Sequence, residues 1–388
     1  MKSIFKLIQG GRLYDPQEQG VKDLLIVGDI IAKIAESIEP PKDLEIAVFN
    51  VSDMIVVPGF IDLHVHLIGG GGEDGPASRV PEITLSNITE AGITTVVGVL
   101  GTDNVSRYPE TLLAKIKALR AEGISAFMYT GSYHVPPPTI TGSVKRDIAL
   151  IDEVIGVKIA ISDHRASQLT TDELGRIASE ARVGGMLGRK AGIVHLHVGS
   201  GSQGLTPLIE VIGRTEIPIS QFLPTHISRT PSLLRQGIEF VKKGGYIDIT
   251  APSNSLRSES DITSIMKEFL ESGINLKNVT MSSDGNGSMP EFDERGQLIG
   301  LSTGEVASLS KTLRTLVGSD IISLPDALKL ITSNPADRLG VPHKKGQIRE
   351  GEDADIVILD KDLKINQVYA RGRLMVERGK AVVKGAFE

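Results

Sequence analysis

Two histidines, His64 and His66, close an apolar run that reads VVPGFIDLHVHL, and the turn GGGGEDG follows at once. They alternate with Leu63, Val65 and Leu67, and strand side chains repeat with period two. Both imidazoles therefore share one face, about 6–7 Å apart along the strand. That spacing suits two ligands on one metal ion, and it also suits a hydrogen-bonded pair in a core. The chain has 8 histidines, so other polar residues that end apolar runs must decide between the two.

Those residues are few. IVHLHVGSG offers His195 and His197, FLPTHISR offers His226, TMSSDGNGS offers Asp284, and GSYH offers Tyr133. Taken singly, each histidine reads more simply as a satisfied core residue, and Asp284 before glycine as a turn former. Lys158 is harder to dismiss, because it lies among Ile155, Val157 and Ile159. An unpaired buried ammonium is very costly, so this lysine must be paired, snorkelling or neutral. A neutral amine can add CO2 and become a carbamate, a two-oxygen anion able to bridge two ions, and burial favours the neutral form.

Eight short β-branched runs, from MIVVPGFIDLHVHL to NVTMSSD, alternate with helical patterns such as YPETLLAKIKALRAEG and TPSLLRQGIEFVKKGG that close on glycine. This alternation predicts an α/β fold, a (β/α)8 TIM barrel over residues 56–345, whose strand ends carry the chemistry. An open doubly wound sheet is the competing arrangement, weakened because no GxGxxG turn follows the first of these strands. Residues 1–55 and 346–388 are β-rich at both ends of the chain, and most simply pair into one small β-sandwich-like domain.

Composition narrows the class. The net charge of −6 argues against nucleic acid or an anionic membrane surface as partner. With no cysteine, disulfides, thiolate metal sites and cysteine nucleophiles are excluded. The N-terminal apolar patch is too short for a signal peptide, and no window approaches ~18 continuous apolar residues. Cytoplasmic residence is the expectation.

In strand order, HxH on the first strand, Lys158 on the fourth, histidines on the fifth and sixth, and Asp284 on the eighth resemble the binuclear amidohydrolase superfamily. The resemblance spans the chain and includes the segment GEDADIVILD. It implies two divalent ions, Zn2+ being the expected metal, bridged by carboxylated Lys158 and a hydroxide. His64, His66 and Asp284 would hold one ion, and His197 and His226 the other. On the fifth strand either histidine could reach the metals; His197, nearer the strand end, fits the family position, with His195 behind it or in the core. Asp284 would shuttle the proton during hydrolysis of an amide-type bond.

Three loop features bear on the substrate. Glu73 in the glycine turn is placed to pair with an ammonium, and Arg165 and Arg229, after the fourth and sixth strands, to capture carboxylates. Tyr133 sits on a long loop stiffened by PPP. These features suggest a small zwitterionic peptide with an additional carboxylate. The whole set resembles the isoaspartyl (β-aspartyl) dipeptidase family, matching at Gly71, Gly72, Glu73, Thr102, Tyr133, Arg165, Arg229 and Ser288 as well as at the metal positions. By that resemblance Glu73 binds the free α-amino group and Tyr133 assists the scissile carbonyl. Arg165, Arg229, Thr102, Ser288 and the amides of the glycine turn hold the two carboxylates. The family also implies a homo-oligomer, an octamer among the options. A cyclic amidohydrolase of the dihydroorotase or hydantoinase kind, an N-acyl amino-acid deacylase and a non-catalytic relative are the alternatives. The cyclic substrate has no free α-ammonium for Glu73 to bind, and a non-catalytic relative would have no reason to keep the ligands.

Overall fold

The computed structural model describes residues 4–41, 43–253, 259–292 and 298–388. The N-terminal strands are β1 (Phe5–Asp15), β2 (Gln17–Val27), β3 (Ile30–Ala35), β4 (Ile46–Asn50) and β5 (Ile55–Pro58). Strands β6 (Phe60–Val65), β7 (Ile93–Gly98), β8 (Ser125–Gly131), β9 (Val154–Ile161), β10 (Ile193–Val198), β11 (Phe222–Thr225), β12 (Ile247–Thr250) and β13 (Val279–Ser282) correspond to the eight apolar runs. A hairpin of β14 (Ser288–Phe292) and β15 (Leu298–Thr303) follows, and β16 (Ile356–Leu359), β17 (Ile365–Ala370), β18 (Arg373–Glu377) and β19 (Lys380–Ala381) end the chain. Helices α1 (Leu85–Glu90), α2 (Pro109–Glu122), α3 (Val144–Leu150), α4 (Thr171–Gly188), α5 (Thr206–Arg214) and α6 (Pro231–Lys242) fall between successive strands β6 to β12.

Strands β6 to β11 form one parallel six-stranded sheet in unbroken sequence order. With no reversal of order there is no switch point, which rules out the doubly wound alternative. Every residue of β6, β9 and β10 is buried, as in parallel strands covered on both faces. Val96, Val157 and Val194 of the sheet and Leu112 and Leu174 of the helices belong to one apolar core. Helix starts are set by side chains: Ser143 caps α3, Thr230 caps α6, and Thr170 and Glu173 form a capping box on α4. Helix α2 closes on Gly123 as expected, whereas α4 closes on Arg189 in the left-handed region. The glycines near the end of α4 serve packing instead, since a Cβ on Gly184 would lie 2.9 Å from the Lys145 carbonyl oxygen of α3.

The closed eight-strand ladder expected from sequence is not what forms. β12 and β13 pair in parallel with each other, and no strand ladder joins β11 to β12 or β13 to β6 among the described residues. The sheet is a curled half-barrel with a separate pair completing the circuit. Buried carboxylates hold the two seams. Asp248 of β12 accepts hydrogen bonds from Thr225 at 2.6 Å, Thr280 at 2.7 Å and Ser282 at 2.6 Å, tying β11, β12 and β13 together. Asp62 of β6 accepts from the backbone N–H of Ser283 at 3.2 Å and from its hydroxyl. Strand β11 has four residues, one of them Pro224, which has no N–H to give a ladder.

The chain ends meet in a second sheet, in the order β19-β18-β17-β16-β5-β1-β2-β3, with β4 also on β1. The antiparallel pairing of β16 with β5, from Ile356–Pro58 to Leu359–Ile55, joins the two halves. The run MIVVPGFIDLHVHL is therefore two strands, broken at Gly59. A Cβ there would lie 2.2 Å from the Thr94 hydroxyl, so the chain crosses between sheets where only glycine fits.

Candidate metal centre

The residues ending β6, β9, β10, β11 and β13 converge. His64, His66 and Asp284 each offer a donor atom, all within 4.8 Å of one another. Asp284 Oδ1 lies 3.4 Å from His64 Nε2 and 3.3 Å from His66 Nε2, and its Oδ2 lies 3.9 Å from His226 Nε2. Lys158 Nζ is 3.1 Å from His64 Nε2. His197 stands one step further out, its ring centroid 4.6 Å from that of His226. Both His226 (φ 63°) and Asp284 (φ 52°) adopt left-handed backbone. Such strain in side-chain-bearing residues persists where surrounding structure enforces it, commonly at functional sites.

The imidazoles of His64 and His226 are each held by one nitrogen while the other faces the cluster, and His197 is bonded through both of its nitrogens. His64 Nδ1 is 2.8 Å from His195 Nε2, which stacks on Tyr129 with ring centroids 4.9 Å apart. His226 Nδ1 is 2.7 Å from the Thr250 hydroxyl, and its buried Nε2 has no hydrogen-bond partner among the described residues. His197 Nε2 donates to Asp163 Oδ2 at 2.9 Å, leaving Nδ1 at 2.6 Å from the Tyr133 hydroxyl. This is the arrangement by which proteins fix the tautomer and aim of metal-binding imidazoles. The donors fit a divalent ion: buried, nitrogen and oxygen only, with one orphaned nitrogen aimed inward.

Electrostatics agree. Burial holds His64, His195 and His226 well below the ordinary imidazole value of 6.5, with Lys158 among the contributing charges. They are neutral and available as ligands. Burial also brings the Lys158 amine down to about 7, against the opposing pull of Asp284. For Asp284, burial raises the pKa most, but the bond from His66 together with the charges of His66, Lys158 and His197 outweighs it, and the carboxylate stays ionised. Burial pushes the Tyr133 phenol up, so it keeps its proton.

A chain of charges leads outward from this cluster. Asp163 takes the Arg165 fork, Nε at 3.0 Å and Nη2 at 2.8 Å, and Arg165 Nη1 reaches Glu73 Oε1 at 3.4 Å. Arg229 Nη1 donates to the Val198 carbonyl at 3.1 Å and lies 3.3 Å from His197 Nε2. Burial would raise the Asp163 pKa, but bonds from His197 and Arg165 hold it far below the carboxylate range. Gly71 and Gly72 lie in the loop before Glu73, where Gly71 bridges to Arg79. Thr102 has a buried hydroxyl with no partner among the described residues, and its carbonyl accepts from His134 Nε2 at 3.2 Å. Ser288 opens β14, its backbone packed on Gly70 of the glycine loop. Arg165 is thus engaged with two carboxylates of its own protein. Asp163 is not legible as a site residue in the sequence; its one signal is its place just after β9, equivalent to that of Asp284 after β13.

The model of the amidohydrolase family matches residues 55–375, and the chain belongs to that family. The crystal structure of β-aspartyl dipeptidase from thermophilic keratin-degrading Fervidobacterium islandicum AW-1, in complex with β-Asp-Leu dipeptide, is 43% identical. It superposes with a TM-score of 0.89 over 97% of this chain and 98% of that one. Dihydroorotase of Clostridium acetobutylicum is 26% identical, over 92% of this chain and 90% of its own. A D-hydantoinase at 15% identity and a TM-score of 0.69, covering 98% of this chain and 97% of its own, shares the fold.

Proposed function

We propose that this protein is a metal-dependent β-aspartyl dipeptidase, hydrolysing the β-linked peptide bond of isoaspartyl dipeptides. The observation that carries it is the Glu73–Arg165 pair, 3.4 Å apart, linked through Asp163 to the histidine cluster. An acidic and a basic group side by side match the α-ammonium and α-carboxylate of a zwitterion. The 43% identical β-aspartyl dipeptidase supports the same reading over nearly the whole chain.

In this reading His64, His66 and Asp284 on one side and His197 and His226 on the other would hold Zn2+ ions, with Lys158 a further ligand once carboxylated, and the ions would supply hydroxide at neutral pH and polarise the scissile carbonyl. The neutral Lys158 amine adds CO2 and releases one proton to become the carbamate. Asp284 takes the proton of the attacking nucleophile and returns it to the leaving amine, so that one water is consumed for each bond broken. Tyr133, protonated throughout, donates to the oxygen of the scissile carbonyl as charge gathers there. Glu73 binds the α-ammonium. Arg165, Arg229, Thr102, Ser288 and the N–H groups of Gly71 and Gly72 receive the carboxylates; the orphaned Thr102 hydroxyl supports its share.

The finer architecture belongs to the same reading. Strands β6 to β13 and their helices make up a (β/α)8-type barrel whose ladder is left open at two seams, over residues 56–345, and residues 1–55 plus 346–388 a small β domain. A cytoplasmic homo-oligomer is consistent with exposed Leu150, Met186 and Leu187 on α3 and α4 and with the absence of any described helix long and apolar enough to cross a membrane.

The test is release of leucine from β-Asp-Leu, beside α-Asp-Leu and dihydroorotate, with divalent metal and bicarbonate supplied. Cleavage of the β-linked peptide alone is expected. Turnover of dihydroorotate alone would instead favour the cyclic amidohydrolases, whose dihydroorotase members match this chain at 26% identity.

A further inference from the structure

One buried charge lies outside all of this chemistry. Arg107, in the segment after β7, is 4% exposed. Its guanidinium reaches across to the glycine loop: Nε donates to the Ile68 carbonyl at 3.1 Å, Nη1 to that of Gly71 at 3.4 Å, and Nη2 to that of Val80 at 3.1 Å. Nη1 also meets Asp103 Oδ2 at 2.9 Å. Asp103 is itself fixed by the N–H groups of Val105 at 3.1 Å and Ser106 at 2.9 Å. A buried guanidinium is tolerated only with its donors matched. Because the fork is planar and rigid, the three carbonyls must lie where it points.

Besides Arg107, the segment it grips is tied by backbone bonds, from the Gly70 N–H to the Asn286 carbonyl at 2.9 Å and from the Val80 N–H to the Gly70 carbonyl at 3.0 Å. Gly69 and Gly71 have φ of +81° and +77°, and a Cβ on either would lie 1.8 Å from the Val80 oxygen or 2.2 Å from the Ser78 oxygen. No larger residue fits, so the loop cannot anchor itself through side chains there. On its other flank Gly70 abuts Gly287 and Ser288, a Cβ there meeting backbone at 3.0 Å. The loop is held between that segment and Arg107, and Glu73 follows Gly71 by two residues.

We propose that Arg107 is a positioning residue for substrate selection: by binding the carbonyls of Ile68, Gly71 and Val80 it sets where Glu73 stands, and so the preference for substrates bearing a free α-ammonium. This rests on the assignment of Glu73 to the ammonium made above. The loop after β7 thereby acts on the loop after β6 with no contact to the reacting atoms.

The experiment compares kcat/KM on β-Asp-Leu and on N-succinyl-leucine, the same amide without its α-ammonium, using metal-loaded enzyme. For Arg107→Lys we expect a fall of about 10–100-fold on β-Asp-Leu, mainly through KM, and a change within about 3-fold on N-succinyl-leucine. In a Glu73→Gln background Arg107→Lys should change β-Asp-Leu turnover by less than about 2-fold, because the two act through one contact. Asp103→Asn, which leaves the buried guanidinium in place, should shift the same ratio in the same direction and serves if Arg107→Lys does not fold. Equal losses on both substrates, or losses additive with Glu73→Gln, would overturn the proposal and leave Arg107 a structural residue. Wild-type enzyme that does not prefer β-Asp-Leu would overturn the Glu73 assignment itself, which the wild-type rates report before any variant is made.

Discussion

Nζ of Lys158 lies 3.1 Å from Nε2 of His64, with both side chains fully buried. Two groups that each readily take a proton stand this close, away from water, only when at least one is neutral. Burial makes both so near neutrality, bringing the lysine to about 7 and the histidine well below its ordinary 6.5. The apolar strand that made this lysine conspicuous in the sequence thus also favours its neutral amine.

Reconstitution should follow that titration. The reactive amine is the unprotonated form, and its fraction rises as pH rises through about 7. Metal-free protein given Zn2+ at a fixed concentration of dissolved CO2 should therefore regain activity faster at pH 8 than at pH 6, and more slowly when CO2 and bicarbonate are withheld. Lys158→Ala should lose roughly 10³-fold or more in kcat/KM, because the ions' contribution is several kcal/mol. Recovery rates independent of bicarbonate would exclude the carbamate.

Tyr133→Phe removes one hydroxyl and little volume. If the hydroxyl stabilises charge that exists only in the transition state, kcat should fall about 10²–10³-fold with KM nearly unchanged. A rise in KM at constant kcat would show that it binds ground-state substrate instead. Steady-state kinetics on β-Asp-Leu separates the two.

His195 tests the support behind the metal. Its Nε2 fixes His64 Nδ1 at 2.8 Å, so His195→Ala should weaken metal affinity by about 10–100-fold. Competition against a chelator measures this directly. Unchanged affinity with lowered thermal stability would make His195 a core residue, the other reading its sequence position allowed.

The parts legible in the sequence are those whose signal is local. Lys158 inside VIGVKIAI, the His64–His66 alternation and the strand-to-helix rhythm each depend on a few neighbouring residues. Asp163, Arg107 and Asp248 were illegible because their partners lie far along the chain: Asp163 bonds His197, Arg107 bonds Ile68, and Asp248 bonds Ser282. An aspartate in DHRAS or IDIT looks like any polar residue at a strand end. The seams at β11–β12 and β13–β6 were hidden for the same reason. Periodicity marks strands, but does not say whether neighbours pair by ladder or through a buried carboxylate.

Asp248 offers the last prediction, on stability. Burial raises its carboxyl from 3.8 to about 6, although hydrogen bonds from Ser282, Thr225 and Thr280 oppose the shift. Between those values the folded protein keeps a proton that the unfolded chain has released. The unfolded state then binds fewer protons, so stability falls as pH rises. The contribution is complete below the unfolded value and is lost as pH rises through about 6. Asp248→Asn stays uncharged at every pH and still offers an oxygen to the three hydroxyls, at a cost of about 1 kcal/mol for imperfect bonds. Thermal melts of both proteins should therefore show the wild type losing stability relative to Asp248→Asn as pH rises from about 4 to about 6.5. A gap between the two that does not fall over that interval would mean the carboxylate is ionised in the fold, with the three hydroxyls stabilising its charge. The seam between β11, β12 and β13 would then be held by an anion.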